Sequence, residues 1–114
     1  MIIDTSVLDA YREFMEEEAD AFIKEILDGF YENAEALFAT LVNAPDETDL
    51  EEYMRSAHTL KSTSATVGAT RLSTVSASIE EKCKQGAIDE IPALIPELGE
   101  AYEEAKAELH RIYS

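Results

Sequence analysis

His58 and Lys61 stand three residues apart in the run His-Thr-Leu-Lys-Ser-Thr-Ser-Ala-Thr-Val-Gly-Ala from 58 to 69. On a helix, that spacing places an imidazole and an ammonium on neighbouring turns of one face. A neutral imidazole is a nucleophile able to attack an electrophilic phosphorus, and an adjacent ammonium is able to hold phosphoryl oxygens. Ser62, Ser64 and Ala65 are small and leave room for another macromolecule to reach the ring. A solvated surface histidine is the ordinary reading of a lone His, and this neighbourhood argues against it.

The elements that must position these residues are helices. Val7, Leu8, Tyr11, Phe14 and Met15 carry a helical period behind an Asp4/Thr5/Ser6 cap. Phe22, Ile23, Ile26, Leu27, Phe30, Ala34, Leu37, Phe38 and Leu41 predict a long helix from Glu18 to Asn43, ended by Ala44-Pro45-Asp46. Thr48 and Glu51 form a capping-box pattern for a third helix that runs to Thr66. Gly68 is a natural left-handed stop, and Thr70 is placed to cap a fourth helix, with Leu72, Val75, Ile79 and Cys83 running to Gln85-Gly86. A last helix carries Ile91, Leu94, Ile95, Leu98, Tyr102, Ala105, Leu109 and Ile112, with Pro92 suited to its first turn and Pro96 to a kink or restart. The expected fold is all-α: an antiparallel four-helix bundle with an additional short N-terminal helix, in a single domain over residues 1–114.

At about 100° per residue, Leu50, Tyr53, Ala57, Leu60 and Ser64 form the core stripe of the third helix, and His58 lies roughly 120° from its centre. His58 therefore belongs to the flank of the bundle, with Met54, Arg55, Lys61, Ser62 and Ala65 around it. If helices three and four fold back about residue 69, positions equidistant from it face each other. His58 and Glu80 each lie eleven residues from that point. A carboxylate there would accept the Nδ1 proton, fix the tautomer and leave the Nε2 lone pair outward. The ordinary alternative for Glu80 is an i,i+4 pair with Lys84.

Composition limits what the histidine could serve. The 114 residues carry a net charge of −16, which argues against nucleic acid or an anionic membrane as partner. Five of the nine basic residues, Arg55, Lys61, Arg71, Lys82 and Lys84, fall between 55 and 84, against two acidic ones, Glu80 and Glu81. This reads as a locally basic region around His58. The single Cys83, on the apolar side of its helix, reads as core and suits a reducing compartment. No signal-peptide pattern or membrane-length apolar stretch is present, so the expected location is the cytoplasm. A di-iron bundle needs Glu-x-x-His pairs, but Arg55 and Ala107 occupy the positions three before His58 and His110. Glu16-Glu17-Glu18 reads as a favourable charge near a helix start, and His110 as solvated or aiding its helix end. There is no glycine-rich phosphate loop or kinase motif, so the chain is not expected to be an enzyme.

His58, Leu60, Lys61, Ser64, Ala65, Val67, Gly68 and Ala69 resemble the signature of histidine-containing phosphotransfer (HPt) domains of two-component phosphorelays, His-x-Leu-Lys-Gly followed by small residues and a Leu/Val-Gly-Ala close. The resemblance extends over most of the chain. It implies a four-helix bundle in which His58 is the phosphoacceptor, Lys61 stabilises the phosphoryl oxygens and Glu80 orients the ring. It also implies docking by response-regulator receiver domains, a hybrid sensor kinase among the partners, through Met54, Arg55, Ser62, Ala65 and Lys84. No cofactor of its own is implied, because Mg²⁺ is supplied by the partner receiver. Ser62 departs from the family's usual glycine and narrows the approach to the ring. The competing reading is a regulatory module that binds a receiver or kinase without transferring phosphate.

Overall fold

Apolar residues recur every three or four positions along nearly the whole chain, and each such run becomes a helix whose apolar stripe is buried. The computed structural model describes residues 2–113. Its helices are α1 (Ser6–Met15), α2 (Ala19–Leu41), α3 (Leu50–Thr66), α4 (Thr70–Gln85) and α5 (Ile95–Tyr113), with short 3₁₀ turns at Glu16–Glu18 and Ile88–Glu90. Helices α2 to α5 form a four-helix bundle in which α3 touches α2 and α4, and α5 touches α4 and α2; α1 packs on α2. The bundle is elongated, 49 × 22 × 20 Å.

The core is filled by Ile23, Leu27, Phe30 and Leu41 of α2, Tyr53, Ala57 and Leu60 of α3, Leu72 and Ile79 of α4, and Leu98, Tyr102 and Leu109 of α5. Helices α3 and α4 make the most intimate pairing. Ala57 and Ser64 on α3 and Ser76 on α4 are fully buried, and their small size lets the two backbones approach. Tyr53 closes the other side of α3 by donating its hydroxyl hydrogen to the Leu41 carbonyl at 2.6 Å. Its phenol is pushed up to about 12, chiefly by burial.

Local chemistry moved three of the expected boundaries. The Thr48/Glu51 capping box does not form, because Asp46 claims the Thr48 hydroxyl at 2.5 Å together with the N–H groups of Thr48 and Asp49. Asp49 returns a carboxylate oxygen to the Asp46 N–H at 2.7 Å, and the helix starts at Leu50. A charged acceptor wins over a neutral hydroxyl in such a turn. Thr70 is the first residue of α4 and not its cap, because the tight left-handed turn at Gly68 lets the helix begin at once. The last helix starts at Ile95, so Pro92 lies in the preceding turn and not in the first turn of α5, whereas Pro96 sits at the expected restart, where its missing N–H costs nothing.

Gly68 answers two demands. Its φ is 77°, a left-handed conformation that favours glycine. It also lies under the N-terminal segment: the Asp4 N–H donates to the Gly68 carbonyl at 2.7 Å, and Ile3 pairs with Ala69 in an isolated antiparallel bridge. A Cβ on residue 68 would overlap the Asp4 carbonyl. Asp4 is itself set by accepting from the Ser6 N–H and hydroxyl, at 3.1 and 2.6 Å. Gly68→Ala is expected to destabilise the protein by on the order of 1–3 kcal/mol from backbone strain alone. The check is a fall in the urea midpoint at unchanged m-value; an unaltered midpoint would show that neither the left-handed backbone nor the clip resists a side chain at residue 68.

Candidate functional site

Residues near the middle of α3 and on the last turns of α4 converge because the tight Gly68 turn folds the two helices back on each other. His58 lies on the flank of α3 with its side chain 57% exposed, and Glu80 lies opposite on α4 with only 8% of its side chain exposed. His58 Nδ1 and Glu80 Oε2 are 2.7 Å apart. With the carboxylate ionised, Nδ1 carries the hydrogen and Nε2 faces away with its lone pair. The other oxygen of Glu80, Oε1, accepts from the Lys61 ammonium, also at 2.7 Å. Lys84 Nζ adds a longer contact of 3.9 Å to Oε2, so the i,i+4 pairing coexists with the pairing across the hairpin. Ser73 braces the same place by donating its hydroxyl hydrogen to the Lys61 carbonyl at 2.9 Å.

These contacts set the charge state of Glu80. The Lys61 hydrogen bond above all, then that from His58, hold its carboxyl below the ordinary 4.5, against the upward push of burial. Glu80 therefore gives up its proton more readily in the folded chain than in the unfolded one. Its network stabilises the fold above the unfolded carboxylate value, and that stabilisation is lost as pH falls through the lower folded value.

The remaining expected site residues divide into those that border the ring and those that do not. A shallow hollow of about 220 Å³ beside His58 is lined by Glu51, Met54, Arg55 and Glu80. Met54 is half-buried, Arg55 is exposed and lies 3.8 Å from Glu51, and Ser62 and Ala65 are exposed on the following turn. Ser64 is fully buried, so it belongs to the core and not to the approach to the ring. Of the five cations of the basic stretch, Arg55, Lys61 and Lys84 stay beside His58 and Glu80, and Arg71 and Lys82 are drawn away. Arg71 is tied to Glu100 and Glu104 of α5, Lys82 reaches Glu90 at 3.1 Å, and Lys61 and Lys84 are drawn to Glu80. Arg71 and Lys82 lie on other faces and meet acids there, whereas Lys61 and Lys84 share Glu80. Cys83 is buried, and burial with the nearby Glu80 charge pushes its thiol up.

His110 is exposed in the last turn of α5, as expected, and has a further contact there. Its ring stacks on Tyr31 with centroids 5.0 Å apart and planes 3° from parallel. The pair lines a cleft of about 580 Å³ between α2 and α5, together with Tyr113, Lys24 and Asp28. That cleft is larger than the hollow at His58 and shares none of its residues. Glu51, expected only as a capping-box residue, and Ser73 also belong to the site; Glu51-x-x-x-Arg55 is a legible i,i+4 pair, whereas no local pattern marks Ser73.

An exposed imidazole, held through Nδ1 by a buried carboxylate with a lysine on its second oxygen, is a nucleophile offered to a macromolecule. Residues 25–108 match the sequence model of the Hpt domain. The chain belongs to the Hpt family. Its structure is similar to the crystal structure of histidine-containing phosphotransfer protein B (HptB) from Pseudomonas aeruginosa PAO1, with a TM-score of 0.81 and 25% identity over 96% of this chain and 92% of that one. No curated protein shows significant sequence similarity to the chain. Hpt domains are phosphotransfer carriers of phosphorelays that work with receiver domains, and they are not enzymes in their own right. No helix of this Hpt domain, among the described residues, is long and apolar enough to cross a membrane.

Because its partners hold the Glu80 carboxyl low, removing its charge has a cost that depends on pH. The difference in unfolding free energy between the wild type and Glu80→Gln is expected to shrink as pH falls from neutral through the carboxylate range below about 4.3. Urea titrations at both ends of that range check it; a difference independent of pH would mean that the carboxylate charge does not stabilise the fold.

Proposed function

We propose that this chain is a phosphorelay carrier in which His58 takes a phosphoryl group from the aspartyl-phosphate of one receiver domain and passes it to another. The observation that carries the reading is the 2.7 Å contact between His58 Nδ1 and Glu80, which commits the other ring nitrogen to face outward as a nucleophile. In the transfer, the Nε2–P bond forms as the bond from phosphorus to the aspartyl oxygen breaks, and the aspartate leaves as a carboxylate. The Nδ1 proton stays in place, so the positive charge gained by the ring lies against Glu80.

Phosphoryl transfer of this kind asks little covalent chemistry of the protein and mainly needs alignment and charge neutralisation. Glu80 fixes the ring, and the exposed flank of α3 lets a receiver approach it in line. Lys61 stands one turn from the ring and offsets the Glu80 charge, which holds the carboxylate, and through it the imidazole, in place. The receiver contributes its own acidic pocket and Mg²⁺. Met54, Ser62, Ala65 and Lys84 form the docking surface, and the Ser62 hydroxymethyl restricts which receivers fit. A hybrid sensor kinase is a natural source of one such receiver, and a reducing cytoplasm is the natural setting for both.

The test mixes the protein with a phosphorylated receiver and Mg²⁺ and locates acid-labile, alkali-stable phosphate. Label is expected on His58 and absent from a folded His58→Gln variant; labelling retained in that variant would overturn the assignment. Binding without transfer in the wild type would point to a non-transferring regulator. Lys61→Ala is expected to slow transfer roughly tenfold, equivalent to one charge-assisted hydrogen bond, with receiver affinity almost unchanged. A parallel loss of affinity, read by calorimetry, would make Lys61 a docking residue.

A further inference from the structure

Lys61, the cation expected to hold the phosphoryl group, is already engaged. Its ammonium sits 2.7 Å from Glu80 Oε1, and withdrawing it would leave a carboxylate only 8% exposed without its main partner. Breaking such a part-buried pair costs more than opening an exposed one. Lys84 is drawn to the same carboxylate at 3.9 Å. Arg55 differs. Its side chain is 71% exposed, and its acidic partner Glu51 is 85% exposed and 3.8 Å away, beyond hydrogen-bond distance. Surface pairs of this kind contribute about 0–1 kcal/mol, so the guanidinium is released at almost no cost.

Arg55 is also on the correct side of the ring. Helical side chains lean toward the N-terminus, so His58 overlies the preceding turn, where Arg55 stands three residues before it. The hollow beside the ring is lined by Glu51, Met54, Arg55, His58 and Glu80, and Lys61 is not among them. The Nδ1 edge is occupied by Glu80. A phosphoryl group on Nε2 therefore emerges away from the Glu80–Lys61 pair. A guanidinium presents a planar fork of N–H donors that matches two phosphoryl oxygens.

Building on the proposed phosphotransfer role, we infer that Arg55 is the cation that clamps the phosphoryl group of phospho-His58, and that it leaves Glu51 to do so. Lys61 remains the counter-charge of Glu80. Arg55 thereby stabilises the phosphorylated carrier relative to the unphosphorylated one. A residue that only docks the receiver changes forward and reverse rates together and leaves the transfer equilibrium untouched. A phosphoryl clamp moves that equilibrium.

The experiment measures the equilibrium distribution of label between the chain and one receiver with Mg²⁺, for the wild type, Arg55→Ala, Arg55→Lys and Glu51→Gln. Arg55→Ala is expected to shift it toward the phosphorylated receiver by roughly two- to fivefold, the scale of one exposed ionic contact. Arg55→Lys should restore only part of the loss, because an ammonium lacks the two-pronged fork, and Glu51→Gln should shift it the opposite way only slightly, because the pair it breaks is weak. An equilibrium unchanged in Arg55→Ala, whatever happens to the rates, would overturn the clamp. Charging the wild type with phosphoramidate, which transfers its phosphoryl group to imidazole with loss of ammonia, separates the two failures. If wild-type His58 takes no phosphate from phosphoramidate or the receiver, the phosphocarrier reading itself falls and the clamp with it.

Discussion

One carboxylate organises the functional face of this bundle. Glu80 is carried into a nearly closed position on α4, where an ionised side chain without partners is strongly disfavoured. It is tolerated because His58 Nδ1 and Lys61 Nζ each engage one of its oxygens. The orientation of the imidazole and the pose of the lysine are thus both answers to the same buried charge. So is the closeness of α3 and α4, since Ala57, Ser64 and Ser76 must be small for the helices to bring these groups within hydrogen-bond range. Ser73, donating to the Lys61 carbonyl, holds the register that makes the alignment possible.

The division of α3 into two faces follows from the same arrangement. Tyr53, Ala57, Leu60 and Ser64 are committed to the core, which leaves the strip with Arg55, His58, Ser62 and Ala65 free of packing duties. A carrier needs such a strip because its reaction takes place on a partner's surface and not inside a pocket of its own. The shallow hollow at His58 and the deeper cleft between α2 and α5 show how separate concavity and chemistry are in this molecule.

The helices and the His58–Glu80 pairing were legible because both rest on short-range rules. Helical periodicity marks the buried stripes, and counting outward from Gly68 puts residues 58 and 80 face to face. What escaped depended on competition or on distant contacts. The Thr48/Glu51 signal was sound locally but lost to Asp46 and Asp49, which bid for the same donors. Arg71 and Lys82 looked like part of the basic group because sequence spacing does not reveal which acid of α5 or the following turn each will meet. The clip of Asp4 on Gly68 joins segments too far apart for any local pattern to announce, and the stack of His110 on Tyr31 depends on how α2 and α5 pack.

The pairing of the cations around α3 and α4 with acids sets the range over which this site is felt. A one-to-one pair such as Arg55–Glu51 or Lys82–Glu90 is nearly a dipole, whose field decays faster than that of a free charge. The one positive charge left over where Lys61 and Lys84 share Glu80 is screened within about 8 Å at physiological ionic strength. Against a molecule of net charge −16, these cations cast no beacon for an acidic partner at a distance. Their charge becomes available only once the surfaces touch and weak pairs such as Glu51–Arg55 are free to open. Discrimination between partners is then settled after arrival, in how long an encounter lasts, and not in how often encounters occur.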